Sequence, residues 1–219
     1  MKRALASTIL ALAAAATIAA VPDVFTDVAA LSEKTRVEWG APGMSVAVAL
    51  ESKIAWAQGC GLADVENEVP ARASTVYRIA SISKPLAATA IMQLVEQGKL
   101  NLDVDIQQYL DFPLPKKFPE PITLRHLLTH TAGFEESAKE LTPARGETSV
   151  ELGLLMKEMT PPQIYHPGTV TSYSNYGADL AGYIVERVSG MPFEEYIKQR
   201  ITAPLGMNHS SFAEPLPPE

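Results

Sequence analysis

Residues 78–85 read RIASISKP, and they hold Ser81, Lys84 and Pro85 in a row of positions that raises a chemical question. Proline is tolerated in the first turn of a helix and disruptive further in, so Pro85 sets a helix start at about Ser81 to Ser83. Positions i and i+3 are neighbours on a helix, which brings Ser81 and Lys84 to one face. A serine hydroxyl is a weak nucleophile until an adjacent base takes its proton. The positive end of a helix, together with burial, disfavours an ammonium and makes Lys84 a candidate base. The same end favours negative charge developing on a substrate oxygen. The plainer alternative makes Ser81 a helix cap and Lys84 a solvated side chain. With 14 serines and 10 lysines in 219 residues, ~0.6 matches to S-x-x-K arise by chance, so the motif needs context.

That context comes from TSYSNYG, residues 171–177, which supplies Tyr173 and Asn175 two residues apart. Chance accounts for only ~0.13 such Y-x-N matches at this composition. A tyrosine phenol beside Lys84 can relay protons between a serine and a leaving group. An asparagine amide can hold a substrate amide or carbonyl. The competing readings are a core aromatic for Tyr173 and a cap for the following helix for Asn175.

Working outward, residues 23–39 read as a helix closed by Gly40 and Pro42. Residues 43–51 alternate Met44, Val46, Val48 and Leu50 with Ser45, Ala47 and Ala49, which is strand periodicity. A turn at Glu51–Lys53 and a second strand at IAWAQG complete a hairpin. After Asp64 the pattern turns helical. Helices are expected over 85–97, over ITLRHLLTHTAGF to near Gly133, over 177–189, and from Pro192 to about Arg200. Residues 135–162 are Glu-rich and interrupted by prolines; they read as an irregular, exposed excursion, with a lid over Ser81 as the functional alternative. The tail AEPLPPE is expected to fray. This order predicts an α+β fold in which residues 21–64 belong to a sheet region and 65–219 to a mostly helical one. Few strand candidates follow the hairpin, so the sheet looks unfinished.

Residues 1–20 combine a basic MKR start with an apolar run of small residues, the pattern of a signal peptide cleaved after Ala20. They imply a periplasmic or secreted protein. Removing Lys2 and Arg3 leaves 16 basic against 25 acidic residues, a net charge of −9. That argues against nucleic acid and anionic membranes as partners. Nothing after the leader is long and apolar enough to span a membrane. The single cysteine, Cys60, forms no internal disulfide and sits at an expected strand end, where packing explains it. His126 and His130 are spaced for one helix face, but no glutamate follows His126 and no third ligand is evident, so no metal is expected. There is no G-x-S-x-G elbow and no phosphate-binding glycine loop, and no cofactor is expected.

On these residues the chain resembles the serine β-lactamase and penicillin-binding superfamily, in the branch with S-x-x-K followed by Y-x-N. The phrases APGMSVAV, GLADVENEVP, RIASISKP, LVEQGKLNLDVDI, ITLRHLLTHTAGF, PGTVTSYSNYG and PLGMNHSSF carry the likeness over roughly residues 24–213. The wording around GLADVENEVP and RIASISKP is similar to the mitochondrial β-lactamase-like proteases. The resemblance implies a β-lactamase/transpeptidase-like fold and an acyl-enzyme mechanism without metal or cofactor. It makes Ser81 the acylated nucleophile, Lys84 its base, Tyr173 a proton relay and Asn175 a substrate contact. The implied substrate is a small molecule or peptide: a β-lactam, a D-amino-acid peptide, an ester or a protein. The family's third motif, K-T-G or H-x-G on a later strand, has no counterpart after Asn175. His166-Pro167-Gly168 precedes Tyr173 and does not substitute for it. The expectation is therefore an exported serine hydrolase truncated before its C-terminal strands; the alternative is a non-catalytic homologue with weak ligand binding.

Overall fold

The computed structural model describes residues 23–136 and 151–213. Residues 1–22, where a signal peptide is expected, residues 137–150 of the expected excursion, and the tail from Glu214 lie outside the described residues. The chain divides between Thr75 and Val76 into two units.

In the first unit, helix α1 (Asp23–Glu38) precedes strands β1 (Gly43–Leu50), β2 (Lys53–Asp64) and β3 (Val69–Pro70). β1 and β2 pair antiparallel from Gly43 opposite Gly61 to Leu50 opposite Lys53. The hairpin turns on Glu51 and Ser52, both with positive φ (48° and 62°). Two successive left-handed residues twist in the sense of the flanking strands, which favours so short a loop. α1 packs on this hairpin, where the Phe25 and Trp56 rings stack nearly parallel at 6.0 Å. Arg36 ties the end of α1 to the loop that leads into β1, donating to Glu33 and to the carbonyl of Ala41.

Two expectations are corrected in this unit. The chain does not become helical after Asp64: Val69 and Pro70 add a third strand against β2. A Cβ at Gly59 would stand 2.4 Å from the Ala71 carbonyl oxygen, so this glycine lets the returning chain lie close. A two-residue strand ending in proline has too little periodicity to read from sequence. Cys60 lies inside β2, not at its end. Burial, then the Glu33 carboxylate, push its thiol pKa up, away from a reactive thiolate.

The second unit is helical. It holds α2 (Lys84–Glu96), α3 (Leu124–Leu128), α4 (Leu152–Glu158), α5 (Asn175–Ser189) and α6 (Phe193–Ile197). α5 is central and packs on α2, α3, α4 and α6. Its Leu180, Ile184 and Val185 are fully buried, with Ile91 and Leu94 of α2, Leu124 and Leu127 of α3, Met156 of α4 and Ile197 of α6. Each such side chain contributes ~1.5–3 kcal/mol of burial. Gly190 ends α5 in the left-handed conformation, φ 72°, as a C-terminal glycine does.

Residues 151–162 depart from the irregular, exposed excursion expected over 135–162. α4 forms there and buries Met156, and the Tyr176 hydroxyl donates to the Met156 carbonyl at 2.9 Å. α3 stops at Leu128, earlier than expected, because His130 turns into the left-handed region at φ 56°. After Ile197 the last helix continues as a π-helical turn over Lys198–Thr202. Among the described residues the sheet has three strands, and no helix is long and apolar enough to cross a membrane.

Candidate active site

Ser81 lies in a short 3-10 turn, Ala80–Ser83, that leads directly into α2. Ala80 has a φ of 45°, a left-handed backbone that costs a residue with a Cβ ~1–3 kcal/mol. The expected helix start at Ser81 to Ser83 is thus a 3-10 turn, with Lys84 as the first α-helical residue. Ser81 is not a cap: its Oγ lies 2.6 Å from Tyr173 Oη and accepts from Lys84 Nζ at 3.0 Å.

Tyr173 and Asn175 reach this point from the start of α5. The backbone at Ser174 is extended (φ −142°, ψ 117°), so Tyr173 and Asn175 project one way and Ser174 the other. Ser174 Oγ accepts from the Gly177 N–H at 3.0 Å and caps α5. Capping therefore falls to Ser174, and the Asn175 side chain is free for other work. Its Oδ1 accepts from Lys84 Nζ at 2.7 Å. All four residues singled out in the sequence meet within one hydrogen-bonded cluster.

The cluster has a defined polarity. Lys84 Nζ also lies 4.9 Å from the centre of the Tyr173 ring. Lys84, then Ser81, hold the Tyr173 phenol below its ordinary pKa, because both favour the phenolate. Ser81 and Tyr173 are exposed and Lys84 is half-buried, so a solvent-borne carbonyl can approach the serine.

Three further residues belong to the site and were not found by sequence reasoning. Glu136 accepts from the Asn175 N–H at 2.9 Å and from Asn175 Nδ2 at 2.6 Å. Asn175 is thereby held at both ends, with its oxygen turned to Lys84, so its amide positions the lysine as it stands. Asp179, one turn beyond Asn175, is largely buried; burial pushes its carboxyl up to about 6, while the Lys84 charge pulls it back. His130, read as structural, lies with its ring 4.5 Å from that of Tyr173. His126, its partner in the weighed zinc pair, instead accepts from the Thr123 N–H in the capping box of α3.

The Beta-lactamase family model matches residues 27–219. The chain belongs to this family of serine hydrolases. Within it, the human mitochondrial serine beta-lactamase-like protein LACTB is 40% identical over 131 residues, covering 58% of this chain and 24% of that protein. Esterase EstB of Burkholderia gladioli is 32% identical over 192 residues, covering 79% of this chain and 48% of the esterase. The octameric penicillin-binding protein homologue of Pyrococcus abyssi superposes with a TM-score of 0.71 at 32% identity, covering 84% of this chain and 43% of that one. This β-lactamase-family chain thus spans a quarter to a half of the length of these relatives.

Proposed function

We propose that the chain is an exported serine hydrolase that forms an acyl-enzyme at Ser81 on a carboxylic ester or amide. The observation that carries this reading is the simultaneous contact of Ser81 Oγ with Tyr173 Oη and Lys84 Nζ. Ser81 Oγ attacks the substrate carbonyl carbon as its proton passes to the Lys84–Tyr173 pair. The C–O or C–N bond to the leaving group breaks, and the pair returns the proton to the departing oxygen or nitrogen. Water then attacks the acyl-enzyme, with the same pair accepting its proton and restoring Ser81. Asn175, clamped by Glu136, holds Lys84 in line for both transfers. The esterase among the relatives supports an ester as first substrate to try, and the leader at 1–20 supports export to the periplasm or medium.

The test is intact-mass labelling with a fluorophosphonate, alongside turnover of a p-nitrophenyl ester and of nitrocefin. One adduct on the wild type and none on Ser81→Ala is expected, with Tyr173→Phe slowing acylation ~10²-fold. Equal labelling of wild type and Ser81→Ala would sink the assignment. A stoichiometric burst without steady turnover would show a serine that acylates but does not complete hydrolysis.

A further inference from the structure

We propose that His130 is the positioning residue that sets the Tyr173 phenol against Ser81, and that it does so only while its imidazole is neutral. The inference rests on the hydrolase reading above for its consequence, but on geometry for its content. His130 grips the strip 172–174 at three points. Its carbonyl accepts from the Ser172 N–H at 2.8 Å. Its Nδ1 accepts from the Ser174 N–H at 3.3 Å. Its ring covers that of Tyr173, centroids 4.5 Å apart and tilted by 33°. The residues on both sides of Tyr173 are thus fixed by one histidine, and the phenol between them is covered by it.

The backbone explains why this residue can do so. At φ 56° His130 leaves the helical path of α3, in a region where histidine, asparagine and aspartate are enriched among non-glycine residues. Its own N–H remains bonded to the Leu127 carbonyl at 3.2 Å, which anchors the grip to α3.

The Ser174 bond fixes the tautomer. Nδ1 must carry a lone pair, so the proton of the neutral ring is on Nε2. Protonation converts Nδ1 into a donor, removes the acceptor from the Ser174 N–H, and places a cation beside Lys84. The charged groups facing the ring are Lys84 from α2 and Glu136 from the segment after Gly133. Burial and then Lys84 lower the His130 pKa, and Glu136 opposes them. The neutral clamp therefore persists below the ordinary imidazole range, and the site loosens only on further acidification.

The experiment pairs NMR of protein labelled with nitrogen-15 histidine and carbon-13 tyrosine with the pH dependence of fluorophosphonate labelling. The variants are His130→Asn, which tolerates a left-handed backbone and offers Oδ1 where Nδ1 stood, and His130→Ala. The expected spectra show His130 as the Nε2–H tautomer titrating below ~6.5, with the Tyr173 resonance moving at the same midpoint. Labelling of the wild type is expected to fall at that midpoint. His130→Asn should label within ~10-fold of wild type without that acid step, and His130→Ala should label ~10²-fold more slowly. An Nδ1–H tautomer, a Tyr173 signal indifferent to His130, or a wild-type acid step retained in His130→Asn would overturn the proposal. If no form of the protein labels at Ser81, the hydrolase reading fails and the spectra alone decide the clamp.

Discussion

At the scale of single residues, Asp179 shows how the site stores an unfavourable charge. Its carboxyl titrates at about 6 in the folded chain, against ~3.9 when solvated. Between those values the folded state holds a proton that the unfolded state lacks, so stability falls as pH rises through the window. Below ~4 the penalty is absent, and above about 6 it is present in full. Asp179→Asn is therefore expected to stabilise the protein by ~1–3 kcal/mol near pH 7.5 and by almost nothing at pH 4. Denaturant titrations at both pH values check this; a gain that is equal at pH 4 and 7.5, or larger at pH 4, would remove burial of the charge as its cause. Asp179 lies close enough to feel the Lys84 charge, so the same variant also reveals whether the buried acid steadies that charge. Faster or slower Ser81 labelling reads this out directly.

At the scale of elements, the Y-x-N spacing has a mechanical reason. The strip before α5 is extended, so alternate residues face opposite ways, and the residue inside the motif is the one that can cap the helix. Ser174 takes that place, buried and bonded to the Gly177 N–H. Ser174→Ala is expected to cost ~1 kcal/mol and to slow Ser81 labelling, while Ser174→Thr retains most of both. Thermal unfolding and labelling of the two variants measure it, and an alanine variant identical to wild type would contradict the capping role. The motifs of Ser81, Lys84, Tyr173 and Asn175 were legible because each pair is close in sequence and its chemistry depends on local spacing. The hairpin, α2 and α5 were legible from hydrophobic period and from Pro85 and Gly190. Glu136 and His130 were not, because their bonds to Asn175 and Ser174 span 39 and 44 residues, and no local pattern encodes such a contact. α4 was hidden by its short length among acidic residues and prolines, and β3 by having only two residues.

At the scale of the molecule, the sheet unit exposes much apolar surface. Leu50 and Ile54 flank the hairpin turn at 58% and 73% exposure, and among the described residues β1 is an edge strand of its sheet. Edges of this kind pair with other chains unless charge or proline blunts them. The protein is expected to self-associate with rising concentration, and Leu50→Lys with Ile54→Lys to shift it towards monomer. Sedimentation velocity across a dilution series tests this; a distribution unchanged by the two lysines would place any association elsewhere. The division between Thr75 and Val76 has an optical consequence. Both tryptophans of the chain, Trp39 and Trp56, fall on the sheet side, whereas Ser81 and its hydrogen-bond partners Lys84 and Tyr173 fall on the helical side. Indole emission therefore follows the sheet unit by itself, and covalent capture of Ser81 follows the helical unit by itself. One unengineered sample yields two independent melting curves, and the gap between their midpoints measures how cooperatively the two units unfold.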